Sequence, residues 1–138
     1  MHTAANGAIA VEKVQQWSPC QQNNQNDQNN KQQQYDVIIM DLQMPVMDGL
    51  QATKTIRAFE QQQQALALAA SSSYVEQHLL IIGMSANSDY DTMQAAFAAG
   101  VDDFMGKPFD ITLFFTILHK LRSRSSSASP TAIAITAE

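Results

Sequence analysis

Cysteine is nearly absent: Cys20 stands alone in 138 residues, which excludes an internal disulfide and a cysteine-built zinc site. It reads as a small residue in a loop. Charge is also scarce, at 15% of residues, and its balance is acidic, with a formal net charge of -5. A general nucleic-acid binder needs a basic stripe to neutralise phosphates, so that class is set aside. No apolar run approaches the roughly 20 residues that a membrane span requires. The opening MHTAANGAIAVEKV lacks the basic start and long apolar stretch of a secretory signal. The expected compartment is cytoplasmic, or nucleocytoplasmic in a nucleated cell.

Two stretches lack core-forming pattern. Of the 14 residues from Gln21 to Gln34, all but Asp27 and Lys31 are Gln or Asn. Such a segment buries too little apolar surface to offset chain entropy and is expected to be an expanded loop. The stretch 61–73, QQQQALALAASSS, reads as an insert whose first part extends a helix and whose serines do not. The expected organisation is a domain over 1–122 carrying this loop and insert, then a serine-rich, disordered tail over 123–138.

Compact elements lie between. Ile9, Val11, Val14 and Trp17 fall near helical spacing, predicting a helix over Ala8–Trp17 after Gly7. Val37–Met40 is a continuous apolar run, the mark of a strand buried on both faces of a parallel sheet. Asp48 can cap a helix over Gly49–Phe59 with Ala52, Ile56 and Phe59 inward. Leu79–Met84 predicts a second buried strand. Ser88 is the expected cap of a helix over Asp89–Ala99, closed by Gly100 in a left-handed conformation. Val101–Met105 predicts a third strand. Asp110 caps a last helix, Ile111–Arg122, with Leu113, Phe114, Ile117, Leu118 and Leu121 inward. Strands alternating with helices imply an α/β domain with a parallel sheet.

In such sheets the working groups sit at the carboxyl ends of the strands. Asp41 ends the first strand, Ser85 the second, and Lys107 follows the third. Alone, each has an ordinary explanation as a cap, a turn residue or a solvated cation. Together they bring a carboxylate, a hydroxyl and an ammonium to one edge. Asp48 is assigned to capping, and Asp102 and Asp103 to a strand start with one of them solvated. His2, His78 and His119 are scattered and read as surface or loop residues.

The segment YDVIIMDLQMPVMDGLQATKTIR resembles the phosphoacceptor segment of response-regulator receivers in two-component phosphorelays, especially those attached to hybrid histidine kinases. IIGMSAN resembles their hydroxyl-bearing strand end, AAGVDDFMGKPFD their aromatic-and-lysine segment, and TAANGAIAVEKV their second helix and the strand end before it. The 22-residue spacing from Ser85 to Lys107 is the family's. The 44 residues from Asp41 to Ser85 are more than usual, by the length of the insert. The resemblance implies a flavodoxin-like parallel sheet with helices on both faces. It implies Asp41 as the phosphoacceptor, Lys107 as an ion pair with the phosphoryl group, and Ser85 with the backbone N–H of Ala86 as phosphoryl hydrogen-bond donors. It further implies Pro45 as the residue fixing the loop, Phe104 as the switch aromatic, and Mg²⁺ on Asp41 and the backbone carbonyl of Gln43. The implied partners are a histidine kinase or a histidine phosphotransfer protein.

Receivers of this kind open with an apolar strand ending in two acidic residues that hold the Mg²⁺, followed by a helix. Nothing before Thr3 supplies these, so a sheet without its first strand and first helix is expected, with Mg²⁺ binding weakened or lost. The tail segment TAIAITA, 131–137, is one candidate to fill that slot. Two other functions compete. A degenerate pseudo-receiver would only dock partners. A haloacid-dehalogenase-like phosphatase would need an acid two residues after Asp41, where Gln43 can neither donate nor accept the proton.

Overall fold

A computed structural model describes residues 3–16, 37–44, 46–69 and 78–123. The expectations for Trp17, the Gln/Asn stretch, Pro45, Ser71–Ser73 and the 131–137 segment lie outside these residues. The elements run α1 (Gly7–Gln16), β1 (Val37–Asp41), α2 (Gly49–Ala69), β2 (Leu80–Ser85), α3 (Tyr90–Ala99), β3 (Asp103–Gly106) and α4 (Ile111–Arg122). Among the described residues the sheet has three parallel strands in the order β1-β2-β3. Val37 pairs with Leu80 and Asp41 with Met84, while Ile82 pairs with Asp103 and Ser85 with Gly106.

Alternation along the strands divides the core into two layers. Ile38, Met40 and Ile81 face Ala10, Val11 and Val14 of α1, Ala52 and Ile56 of α2, and Ala96 of α3. Val37, Ile39, Ile82, Met84 and Met105 face Phe114, Ile117, Leu118 and Leu121 of α4. Helices therefore cover both faces, as the double-sided burial of the VIIM run requires. No helix among the described residues is long and apolar enough to cross a membrane.

Several boundaries differ from the sequence expectation. Helix α2 is not among them: it continues ten residues past Phe59 into the insert, as expected of the insert's first part, because Gln, Ala and Leu are good helix formers and no glycine or proline interrupts them. Asp89, not Ser88, caps α3, its carboxylate accepting the Thr92 N–H at 2.8 Å. That position lets the side chain reach the third residue on. Strand β3 begins at Asp103 because Val101 N–H still closes on Ala96 of α3, and the Ile81 N–H of β2 goes to the Asp102 carboxylate and not to a backbone carbonyl. Leu113 is exposed. At 100° per residue it lies about 90° from the centre of the arc formed by Phe114, Ile117, Leu118 and Leu121. Gly100 adopts φ 113°, the left-handed closure expected of it. Asp48 and Asp110 cap α2 and α4 as expected, accepting from Gln51 N–H and from Thr112 and Leu113 N–H.

Candidate functional site

Asp41 sits at the carboxyl end of β1 with 7% of its surface exposed, one of the polar residues buried among those described. A carboxylate so placed needs partners for its lone pairs, and both oxygens have them. Oδ1 accepts the backbone N–H of Gln43 at 3.0 Å, and Oδ2 accepts the Lys107 ammonium at 2.6 Å. The lysine's route follows from the register. Strand β3 lies beyond β2, two strand spacings or roughly 10 Å from β1. Lys107 N–H donates to the Ser85 carbonyl at 2.9 Å, so the chain turns across the end of β2. From there the side chain bridges back over Ser85 to Asp41.

Ser85 is fully buried between them, its hydroxyl accepting the Asn87 N–H at 3.1 Å. That bond uses a lone pair and leaves the hydroxyl's own hydrogen for a further acceptor. Ala86, the next residue, is exposed. Phe104 packs half-buried against the layer of α1, α2 and α3, near Gly83. The three sequence candidates thus meet at one edge, and Phe104 lies on β3 in register with Gly83.

The loop after Asp41 is fixed at both ends. Gly49 N–H closes on the Leu42 carbonyl at 3.3 Å, and Gly7 N–H of α1 donates to the Met47 carbonyl at 3.0 Å. Between them Val46 is 88% exposed and takes φ 70°, a conformation that β-branched residues rarely adopt. Among the described residues, no three His, Cys, Asp or Glu side chains come together as a metal site.

Neither Asp102 nor Asp103 is solvated, contrary to expectation. Asp103 pairs with Lys120 of α4 at 2.6 Å. Asp102 receives the Arg57 guanidinium at 2.7 Å, the Ile81 N–H at 2.8 Å and His78 Nε2 at 2.6 Å. Arg57 also donates to Glu60 and to the carbonyls of Leu79 and Gly100. Sequence reasoning missed this cluster. The Arg57–Glu60 spacing is a local signal of a helical ion pair, but Asp102 and His78 are joined to it only by the fold.

Comparison with known proteins agrees with this architecture. The model of the response regulator receiver domain family matches residues 2–119. A probable histidine kinase 6 from Oryza sativa subsp. japonica is 35% identical over 91 residues, which is 63% of this chain and 9% of that protein. The chain thus spans under a tenth of that relative's length. A chain of the CheX–CheY complex from Borrelia burgdorferi superposes with a TM-score of 0.61 at 21% identity, covering 87% of this chain and 67% of that one. The receiver domain of a sensor histidine kinase from Pseudomonas aeruginosa PAO1 gives a TM-score of 0.55 at 26% identity, covering 85% and 71%. With a family match over most of its length and this edge of carboxylate, hydroxyl and ammonium, the chain belongs to the response regulator receiver domain family of two-component signalling.

Proposed function

We propose that this receiver accepts a phosphoryl group on Asp41 from a phosphohistidine of a histidine kinase or histidine phosphotransfer protein. The observation that carries this reading is the buried Asp41 carboxylate held against the Lys107 ammonium at 2.6 Å. An Asp41 oxygen attacks phosphorus, the phosphorus–nitrogen bond breaks, and the imidazole leaves and takes up a proton. The phosphoryl group in transit spreads negative charge over three oxygens. Lys107 is placed to neutralise part of it, and the Ser85 hydroxyl and Ala86 N–H would donate to the remaining oxygens once Asp41 is modified. Phe104 would turn inward as Ser85 moves. Pro45 would fix the loop.

The Pseudomonas receiver holds a magnesium ion in its active-site cleft. In this chain Asp41 and the Gln43 carbonyl would be the ligands of such an ion. Magnesium demands near-octahedral oxygen ligation and dehydrates reluctantly. The described residues offer it one carboxylate, already shared by an ammonium and an N–H. They do not by themselves make a magnesium centre. This single-carboxylate site also favours a second reading, a pseudo-receiver that docks partners without accepting phosphate.

The two readings separate in one experiment. A histidine phosphotransfer protein, labelled on its histidine, is mixed with the chain and with Asp41→Asn. Label moving to the wild type and not to D41N supports acceptance. Stable complex formation without transfer supports docking alone.

A further inference from the structure

Helix α1 opens with glycine, although alanine there would favour the helix by up to about 1 kcal/mol. Asn6 already caps the helix, accepting the Ile9 N–H at 3.0 Å. The glycine needs another explanation, and its surroundings supply one. A Cβ on Gly7 would lie 2.5 Å from the Met47 carbonyl oxygen and 3.0 Å from both the Asp48 carbonyl oxygen and the Ala52 side chain. Two of these three neighbours are backbone of the loop that leaves Asp41.

That loop contains Val46 at φ 70°. Strained backbone of this kind persists only where its surroundings hold it. The hold on its far side is the hydrogen bond from Gly7 N–H to the Met47 carbonyl, the residue directly after Val46. On its near side Gln43 N–H is bonded to Asp41 Oδ1. Met47 stands four residues along the chain from Gln43, so one short loop joins the Gly7 hydrogen bond to the carboxylate's own.

We propose that α1 braces the loop after Asp41 through Gly7, making Gly7 a positioning residue for phosphoryl acceptance. The role in acceptance rests on the functional reading above, whereas the brace itself does not. Any side chain at this position must push the Met47 carbonyl away by about 0.8 Å to reach an ordinary carbon–oxygen contact. A misplacement of about 1 Å that originates away from the reacting atoms can slow chemistry by up to about a hundredfold.

The test compares the wild-type chain, Gly7→Ala, and a control in the opposite layer, Ile117→Val or Leu118→Ala, chosen for an equal loss of Tm. Two quantities are measured: the initial rate of Asp41 phosphorylation by acetyl phosphate, and amide hydrogen exchange at Gln43 and Gly49 by NMR. For G7A the expected result is about tenfold slower phosphorylation and clearly faster exchange at both amides. The control should stay within about twofold of wild type in rate. Exchange at Gln43 and Gly49 that rises no more in G7A than in the control overturns the brace, whatever the rate does. Faster exchange specific to G7A with an unchanged rate overturns the positioning role. If the wild type takes no phosphate, the functional reading fails and so does the role in acceptance, and the exchange measurement still decides the brace.

Discussion

Replacing Arg57 by methionine keeps most of the side-chain stem and removes a guanidinium that ties three parts of the protein together. Its partners are Glu60 on the same helix, Asp102 before β3, and the carbonyls of Leu79 and Gly100. The arginine, Glu60 and Asp102 side chains are only 15–18% exposed, so little solvent screens them. Hydrogen bonds to charged groups contribute about 1.5–3 kcal/mol each, but they are not additive within one network. Breaking a largely buried pair from one side costs about 3–5 kcal/mol, because the remaining carboxylate stays unpaired. Asp102 keeps the Ile81 N–H and His78 as partners, which reduces that cost. The expected loss for R57M is therefore about 3 kcal/mol, read from urea unfolding with an unchanged m-value. Arg57→Lys keeps the charge without the fork and should recover less than half of it. A cycle with Asp102→Asn should return a coupling of at least about 1 kcal/mol. A loss below about 1 kcal/mol for R57M, or additive single and double variants, would refute the view that this cluster pins α2 to β2 and β3.

Three further outcomes are expected. Lys107→Ala should slow phosphorylation of Asp41 by about a hundredfold, the scale of losing one preorganised cationic or donor group at a transition state, as measured with acetyl phosphate; a change within threefold would remove Lys107 from the site. Magnesium should bind much more weakly than to a receiver with several carboxylates at its site, and calorimetry showing equal affinity would mean that another acidic residue serves it. Hydrogen bonds from Thr92, with a smaller one from Asn87, hold the Asp89 carboxyl below its usual 3.8. A carboxyl lowered in the folded state stabilises above its unfolded pKa and loses that contribution as pH falls through the folded value. The stability gap between wild type and Asp89→Ala should accordingly be full at neutral pH and shrink below pH 3.8; a gap that persists unchanged at pH 2 would contradict this.

The fold was legible where the side-chain pattern is local. The runs VIIM and LIIGM can be buried only on both faces of a sheet, and the residues closing them had to share an edge. Asp110 and Gly100 were readable because a cap and a left-handed closure depend on their own neighbours. The start of β3 was misplaced by two residues because nothing local shows that Val101 N–H closes on α3 or that the Asp102 carboxylate takes the Ile81 N–H. Leu113 was misassigned because apolar character does not say which side of an arc a residue occupies. Beyond the local Arg57–Glu60 pair the cluster was invisible, because Gly100 and Asp102 lie 43 and 45 residues from Arg57. The Gly7 contact was invisible for a similar reason, since a glycine's value lies in what approaches it.

In the proposed reaction Asp41 is the carboxylate that takes the phosphoryl group. The most direct measurement is mass-spectrometric mapping of the acyl phosphate after the whole chain is incubated with acetyl phosphate and Mg²⁺. The expected result is modification at Asp41 and at no other carboxylate, abolished in D41N. Modification of Asp48 or Asp103 with Asp41 untouched would contradict it.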